Sequence, residues 1–520
     1  MIPQAQRQAP TWTRRRLLRP LASHPQSSLQ RALSGVAPRV DRLPLTLEPE
    51  ASVVPPSPKV HVLERLTYGP RQVELDRLNR LGIAGFIEEQ LHPETLDDTA
   101  TERRVRRLFP DLDLDVTDMF RLAETDEDRF YRLPGRFQEA ALYRAMFSRR
   151  QLHERMVEFW SDHFNIYLYK DFPWFKVVDD REVIRRHALG KFRDLLHASA
   201  RSPAMLYYLD NYANTQYGPN ENYARELMEL HTLGVDGGYT QADVVEVSRC
   251  LTGWTIDFER NFGHFRFSPD DHDFGTKVVL GHAIPGGSPG ILDGVRVLNL
   301  LADHPATARF IATKLCRRFV ADQPPATVID AAAATFLATD GDIRAVLRTI
   351  LLSTEFMAAA GSRLKRPLDF VVSALRGLRA AVDTGGLGDL NYLLFMLGQA
   401  PFEWEPPNGY PDVGPAWANT NGLLNRWNLA TLLAFNYLSG VRVDHRQWIA
   451  GLRPRTPAKM VDSFARRLLR RPITADDRQR LESYAAAGGD PHEVLSLGEL
   501  QAIAPGLMAL LLSSPSFQWR

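Results

Sequence analysis

Apolar residues recur at intervals of three and four positions through most of this chain. The pattern begins at Val60 and continues with few helix-breaking residues across positions 135–200. This spacing places apolar side chains along one face of an α-helix, whereas a half-buried strand would show strict alternation. The sequence therefore predicts a mainly α protein with a multi-helix, orthogonal or bundle-like body.

The same pattern predicts the helices of the C-terminal half. Their expected bounds are 291–303, 305–321, 326–338, 342–357, 367–382, 419–437, 457–470, 474–487 and 496–513. Alternation at Phe265 and Phe267 and an apolar run at 277–280 are instead typical of short strands. We therefore expect a small β-hairpin excursion near 257–282. A glycine- and proline-rich loop follows it, which leaves open a subdivision of the body near 285–290.

Residues 1–55 form a basic, proline-rich segment, which we separate from the helical body at 56–520. Eight arginines fall within positions 1–47, against one acidic residue, Asp41. The run at 13–19 resembles the twin-arginine export motif, but several prolines interrupt the apolar stretch that a leader needs. Two interpretations stay open: a degenerate twin-arginine leader of a periplasmic protein, and a disordered tail of a cytoplasmic one.

Composition excludes several classes of protein. The chain has 44% hydrophobic and 24% charged residues, as in an ordinary globular protein, and no run of roughly 18 apolar residues that would span a membrane. Because the arginine excess lies in the N-terminal segment, we expect the body to have no general attraction for nucleic acid. Two cysteines exclude a disulfide scaffold, and Cys250 is expected to be a small buried residue.

The densest group of polar side chains lies within positions 203–256. Asn220 is expected to cap a helix over 221–233, and Gly234 to end it in the left-handed conformation. A capping box at 240–243 then starts a second helix. The segment therefore predicts an αα-hairpin.

One face of the first of these helices is polar and holds Asn222, Glu226 and Glu229, while His231 borders the apolar face. Two carboxylates three positions apart can act as acid and base, share a metal, or raise each other's pKa. They can equally pair with Arg225 or with other arginines. The sequence leaves both a functional and a structural use open.

An aromatic stripe lies upstream of this segment. Its members are Met156, Phe159, Trp160, His163, Phe164 and Tyr167. A histidine on such a face is either a satisfied core residue or a base or metal ligand. Burial is expected to lower the pKa of His163 and hold the ring neutral, the state that both functional uses need.

A third polar group, Asp270, Asp271, His272 and Asp273, falls within the β excursion. It suits a divalent cation or a histidine–aspartate base pair, although it matches no standard ligand spacing, and a solvated turn is the alternative. Further on, a loop at 401–417 interleaves five prolines with Trp404, Tyr410 and Trp417. Such a loop is either functional or packs over a core.

These segments together resemble the bacterial domain-of-unknown-function 1800 family over roughly residues 57–520. The motifs that carry the resemblance are RLTYGP at 65–70, FWSDHF at 159–164, the block at 203–256, HDFG at 272–275, KLCRRF at 314–319, PNGYP at 407–411, AWA at 416–418 and LLSSPSF at 511–517. Family members often have W-H-x-H-F where this chain has Ser161. That departure weakens a two-histidine metal site on this helix.

The resemblance implies a mostly helical bacterial protein, often exported by the twin-arginine route. It also implies, as a partner, a co-encoded protein that resembles alkaline phosphatases. It implies no established reaction and supplies no catalytic residue.

The leading hypothesis is a hydrolase-like enzyme that depends on a metal or on histidine and carboxylate groups. Its pocket would lie where the three polar groups converge, and a divalent metal is compatible with it. The catalytic candidates are His163, Glu226 and His272, and the binding candidates are Asn222, Arg225, Glu229 and Asp273.

Two other hypotheses stay open. A non-catalytic partner or assembly factor for a co-exported enzyme or surface polymer would use the aromatic loop at 401–417 as an interface. Alternatively, the polar groups form a buried network that fixes the helices.

Overall fold

The structure is a computed structural model that describes residues 53–170, 172–287 and 289–520. Both interpretations of the segment 1–55 therefore concern residues that lie almost entirely outside the described part of the chain. Within that part the protein is mainly α-helical, as the apolar period predicts, with three small two-stranded sheets. No described helix is both long and apolar enough to cross a membrane.

The described residues form twenty-four α-helices. They are α1 (Pro58–Leu66), α2 (Gln72–Leu91), α3 (Thr99–Leu108), α4 (Val116–Thr125), α5 (Glu127–Phe147), α6 (Gln151–His163), α7 (Pro173–Asp179), α8 (Phe192–Ala200), α9 (Pro203–Tyr208), α10 (Asn222–Glu226), α11 (Gln241–Cys250), α12 (Ile291–Asp303), α13 (Pro305–Phe319), α14 (Ala326–Ala338), α15 (Ile343–Leu351), α16 (Thr354–Ala358), α17 (Pro367–Leu378), α18 (Thr384–Met396), α19 (Thr420–Ala434), α20 (His445–Leu452), α21 (Pro457–Leu468), α22 (Ala475–Ala485), α23 (Leu497–Ser513) and α24 (Pro515–Gln518).

The strands are β1 (Trp254–Asp257), β2 (His264–Phe267), β3 (Lys277–Val279), β4 (His282–Ile284), β5 (Ala381–Val382) and β6 (Val441–Arg442). The predicted excursion holds two antiparallel hairpins, β1–β2 and β3–β4. Trp254 pairs with Phe267, and Lys277 pairs with Ile284. The strands predicted at 265–267 and 277–280 are therefore present as β2 and β3. Each pairs with a strand, β1 or β4, that the sequence pattern does not predict.

The helices of the C-terminal half follow most of the predicted bounds closely. The helix predicted at 342–357 is divided into α15 and α16, because Ser353 accepts a hydrogen bond from the backbone N–H of Phe356 and starts a new helix. Helices α18, α20 and α24 were not predicted, and α17 ends at Leu378 rather than at the predicted residue 382, because 381–382 form β5. Three glycines within the first five residues of α18 lower its intrinsic helix propensity, but Asp383 caps its N-terminus and its leucines are buried.

A continuous group of buried apolar side chains runs from Val62 to Phe517. Helix α6 is buried along most of its length and packs against α2 and α5. Two π-helices, at Asp180–Arg185 and Leu227–Thr232, directly continue α7 and α10. Because π-helices are rare and often occur at functional sites, their position near α6 makes that helix a candidate location for a site.

Candidate active site

A cavity of about 50 Å³ lies between α6 and a covering loop at 401–412. Its apolar wall includes Leu142, Ala145, Leu368 and Phe402. Its polar wall includes Glu154, Glu158, Ser161 and Asp162 from α6 and Asp180 and Arg185 from the first π-helix. Tyr68, Arg144, Gln399 and Tyr410 complete it. Buried polar groups against an apolar wall are the usual composition of a small-molecule site.

The polar wall follows from the spacing of residues along α6. Glu154, Glu158, Ser161 and Asp162 are separated by intervals of four, three and one, so they project from one face of the helix. Phe159, Trp160 and His163 belong to the opposite face and lie in the aromatic core. The sequence interpretation identified the aromatic stripe and missed the polar stripe, although helical spacing was the signal for both.

Glu158 and Asp162 form the first carboxylate pair in the cavity. Arg366 donates to Glu158 Oε1, and the Tyr68 hydroxyl donates to Glu158 Oε2 at 2.8 Å. Burial opposes ionisation of Glu158, but Arg366 and Arg318 outweigh it and lower the pKa of Glu158. Burial and the nearby Glu158 charge raise the pKa of Asp162. The two carboxyl groups are therefore pushed toward different protonation states.

Glu154 and Asp180 form the second carboxylate pair. Burial would raise the pKa of Glu154, but Arg185, whose Nη1 lies 2.8 Å from Glu154 Oε2, lowers it to about 2. Burial raises the pKa of Asp180, and the opposing charge of Arg185, at 3.7 Å, does not offset it. One ionised and one protonation-prone carboxyl group thus occur in this pair as well.

Two polar atoms of the cavity wall have no hydrogen-bond partner among the described residues. They are Ser161 Oγ and Asp180 Oδ1. Both residues are only 5% exposed, so bulk water does not reach them freely. A buried polar group without a partner costs free energy, and such groups call for an explanation. Ser161 is also the position at which the resemblance expects a second histidine.

A belt of buried arginines holds the polar face of α6 in place. Its members, each no more than 2% exposed, are Arg155, Arg318, Arg363, Arg366 and Arg520. Asp369 pairs with Arg155 at 2.7 Å and with Arg520 at 2.8 Å. Asp412, in the covering loop, pairs with Arg318 at 2.7 Å and with Arg363 at 3.0 Å. The belt therefore connects α6, α13, α17 and the covering loop.

The covering loop is attached to the segment that follows α6. Asn165 Nδ2 donates to the carbonyl oxygens of Trp404, at 2.8 Å, and Pro406, at 2.7 Å. Tyr410 and Trp417 are buried against Leu364, so these aromatic side chains pack inward. Of the two interpretations of the aromatic loop, packing over a core accounts for these two side chains.

His163 is buried, and both of its ring nitrogens have partners. Nε2 donates to the carbonyl of His231 at 3.0 Å, and Lys314 donates to Nδ1 at 2.9 Å. Burial and the Lys314 charge lower the pKa of His163 well below its usual value, which confirms the predicted neutral ring. Burial also lowers the pKa of Lys314 to about 8, against the opposing charges of Asp162 and Asp412. Lys314 begins the KLCRRF motif, but no local pattern connects it to His163, which lies 151 positions away.

The predicted helix over 221–233 is present as α10 followed by the second π-helix. Asn220 Oδ1 accepts from the backbone N–H of Asn222 at 2.9 Å, and Gly234 ends the helix with a φ of +82°. The π-helical turn was not predicted. The capping box at 240–243 is confirmed, and Cys250 is buried as expected.

The candidate polar face of that helix lies away from the cavity. Asn222 is exposed, and Arg225 pairs with Glu221 at 3.1 Å. Burial and the charge of Glu229 raise the pKa of Glu226. Asn222, Arg225, Glu226 and Glu229 are not among the residues that line the cavity.

His272 occupies a third, separate environment. It is fully buried, with Nδ1 2.8 Å from the carbonyl of Thr252 and Nε2 3.3 Å from Asp293 Oδ2, so a solvated turn does not describe it. Lys277 donates to the same Asp293 oxygen at 2.7 Å, while Asp273 pairs with Arg249, also at 2.7 Å. The neighbouring residues His272 and Asp273 therefore contact different partners, Asp293 and Arg249.

No contact among the described residues joins His163 to Glu226 or to His272. In the same part of the chain, no group of three or more histidine, cysteine, aspartate or glutamate side chains is placed to hold a metal ion. The structure thus brings Glu158 and Asp162 together in the wall of one cavity. It joins His163 to the 203–256 segment through His231, and it gives His272 separate surroundings.

A family model described as "Protein of unknown function (DUF1800)" matches residues 61–519. No curated protein and no solved structure matches the chain. Because the match covers nearly the whole sequence, from the first buried helix to the penultimate residue, the chain belongs to the DUF1800 family.

Proposed function

We propose that this protein is a hydrolase-like enzyme that uses carboxyl groups for general acid–base catalysis. The observation that supports this is the pair Glu158 and Asp162, one helical turn apart on α6 and both in the wall of the same cavity. Carboxyl groups whose environments separate their pKa values are the usual arrangement of an acid and a base in one site.

The different environments of the two carboxyl groups support a separate role for each. Glu158 is ionised beside Arg366, so it is the general base. Asp162, whose pKa is raised, carries the proton and is the general acid. Tyr68, which donates to Glu158, orients the base.

The candidates chosen from the sequence receive other roles in this proposal. His163 is a positioning residue, because its ring joins the end of α6 to Lys314 and to the second π-helix. Glu226, on a separate helix, would be the general base in the competing hypothesis, in which the pocket lies where the three polar groups chosen from the sequence converge. Substitutions of Glu158 and of Glu226 therefore have opposite expected effects under the two hypotheses.

The test uses the purified full chain and small esters, amides and glycosides as substrates. Proton NMR measures the rate at which each is turned over. We expect Asp162→Asn and Glu158→Gln to lose about 100-fold or more in rate, as removal of a general acid or base usually does. Glu226→Gln is the control, and its rate should match the parent. Full activity of Asp162→Asn would contradict the proposal, and a loss confined to Glu226→Gln would favour the competing hypothesis.

A second measurement needs no substrate. Infrared spectroscopy should detect a protonated carboxylic acid at neutral pH, and Asp162→Asn should remove part of that band. Melting followed by circular dichroism separates this change from unfolding. An unchanged band in folded Asp162→Asn would remove Asp162 as the acid.

A further inference from the structure

We infer that the cavity beside α6 binds a small neutral molecule with at least two adjacent hydroxyl groups, or the terminal diol of a larger one. This inference rests on the proposed function, since it names the substrate class of the same site. It starts from Ser161 Oγ and Asp180 Oδ1, two buried wall atoms without a hydrogen-bond partner among the described residues. A ligand that satisfied both would remove a free-energy cost that the protein otherwise bears.

The size of the cavity limits the ligand. A volume of about 50 Å³ accommodates about three to five water molecules, and therefore a ligand of about four to six non-hydrogen atoms. A polymer segment does not fit, while a three-carbon polyol does. The covering loop leaves room only for the end group of a larger molecule.

The charges of the wall favour a neutral ligand. Glu154 is paired with Arg185, and Glu158 with Arg366. Arg144, the other arginine of the wall, is paired with Glu102 at 3.1 Å. Because these charges are already compensated, an added ion would meet no free counter-charge and would pay its full desolvation cost.

The pattern of donors and acceptors favours hydroxyl groups. Ser161 can donate or accept, and Asp180, with its raised pKa, can do either according to its protonation. A hydroxyl group also donates and accepts hydrogen bonds. Two hydroxyl groups of a ligand can therefore provide partners for both Ser161 Oγ and Asp180 Oδ1. The apolar wall formed by Leu142, Ala145 and Leu368 then contacts the carbon skeleton.

The experiment is saturation-transfer NMR on the full chain with glycerol as the probe. We expect transfer to glycerol, and weaker transfer to 1,2-dimethoxyethane, which has as many non-hydrogen atoms but no hydroxyl donor. Ser161→Ala and Asp180→Ala should each weaken binding about fivefold, the effect of one lost hydrogen bond. Ser199→Ala is the matched control, because its hydroxyl is also buried without a partner but lies outside the cavity wall. It should bind glycerol as the parent does.

Several outcomes would overturn the inference. They are no transfer to glycerol in the parent, equal transfer to both probes, or parent-like binding by folded Ser161→Ala. Its failure is distinguishable from failure of the proposed function. Glycerol binding that is sensitive to Ser161, together with full turnover by Asp162→Asn, would sustain the ligand class and reject the acid–base assignment. Loss of turnover in Asp162→Asn, together with no glycerol binding by the parent, would support the acid–base assignment and reject the ligand class.

Discussion

Gly409 lies directly against the main-chain carbonyl of Asp162, so the covering loop meets the polar face of α6 without an intervening side chain. Gly409 has a φ of +72°, and a Cβ at this position would overlap the Asp162 carbonyl oxygen. Two constraints therefore require glycine here: the left-handed backbone and the close approach. This contact therefore holds the covering loop against the part of α6 that carries Asp162.

Gly409→Ala should destabilise the protein by roughly 2–5 kcal/mol, because left-handed strain and overpacking act together. Urea unfolding at neutral pH measures the change. Gly238→Ala is the matched control: its φ is +82°, but nothing lies within 4 Å of its added Cβ. That control should cost only about 1–2 kcal/mol, the strain alone. Equal costs for the two variants would contradict the close packing of the loop on α6.

Ser161→Ala should leave stability unchanged or raise it by up to about 1 kcal/mol, because the lost hydroxyl is buried without a partner. Ser148→Ala provides the contrast. Its hydroxyl is also buried and donates to Asp98 Oδ2 at 2.6 Å, so its removal should cost about 1–3 kcal/mol. Thermal unfolding of both variants distinguishes the two environments. A clear loss of stability in Ser161→Ala would show that its hydroxyl has a partner.

Much of the helical framework was predictable, because apolar residues at helical spacing report which face of a helix is buried. The burial of His163 within its aromatic stripe followed from the same reasoning. The polar face of α6 was also visible in principle, since Glu154, Glu158 and Asp162 recur at intervals of four. The segment 203–256 has a denser group of charges, but its charged side chains are exposed or half-buried.

The cavity itself could not be predicted, because it depends on contacts between distant parts of the chain. Arg366 lies 204 positions from Asp162, and no local pattern connects them. The covering loop likewise reaches Asn165 from about 240 positions away, and only tertiary structure shows which prolines and aromatic residues face inward. His272 shows a different limit: its acidic sequence context leaves a cation site, a histidine–aspartate pair and a solvated turn open, and only the tertiary structure shows it buried beside Asp293, 21 positions away.

Arg155→Met should destabilise the protein by about 3–5 kcal/mol, because it leaves the buried Asp369 carboxylate with less compensation. The Arg155–Asp369 pair is almost fully buried, with side-chain exposures of 0% and 2%. Arg480→Met is the control, since its pair with Asp476 is exposed, at 62% and 67%, and should contribute less than about 1 kcal/mol. Denaturant unfolding of both variants tests the difference. A small effect of Arg155→Met would mean that the remaining arginines of the belt compensate Asp369.

Acid should destabilise the protein through its buried histidines. Burial lowers the pKa of His61, with help from Arg65, and that of His231, with help from Lys314, to about 3 from the ordinary 6.5. Between pH 6.5 and about 3 the unfolded chain binds protons that the folded protein excludes, so stability falls as the pH falls. Each histidine should lower the free energy of unfolding by about 2 kcal/mol between pH 7 and pH 5.

His231→Leu should reduce the pH dependence of the free energy of unfolding by about that amount, as measured by urea unfolding at the two pH values. His445→Leu, in a half-buried position far along the chain, is the comparison, and an equal change in both variants would contradict the burial-based assignment.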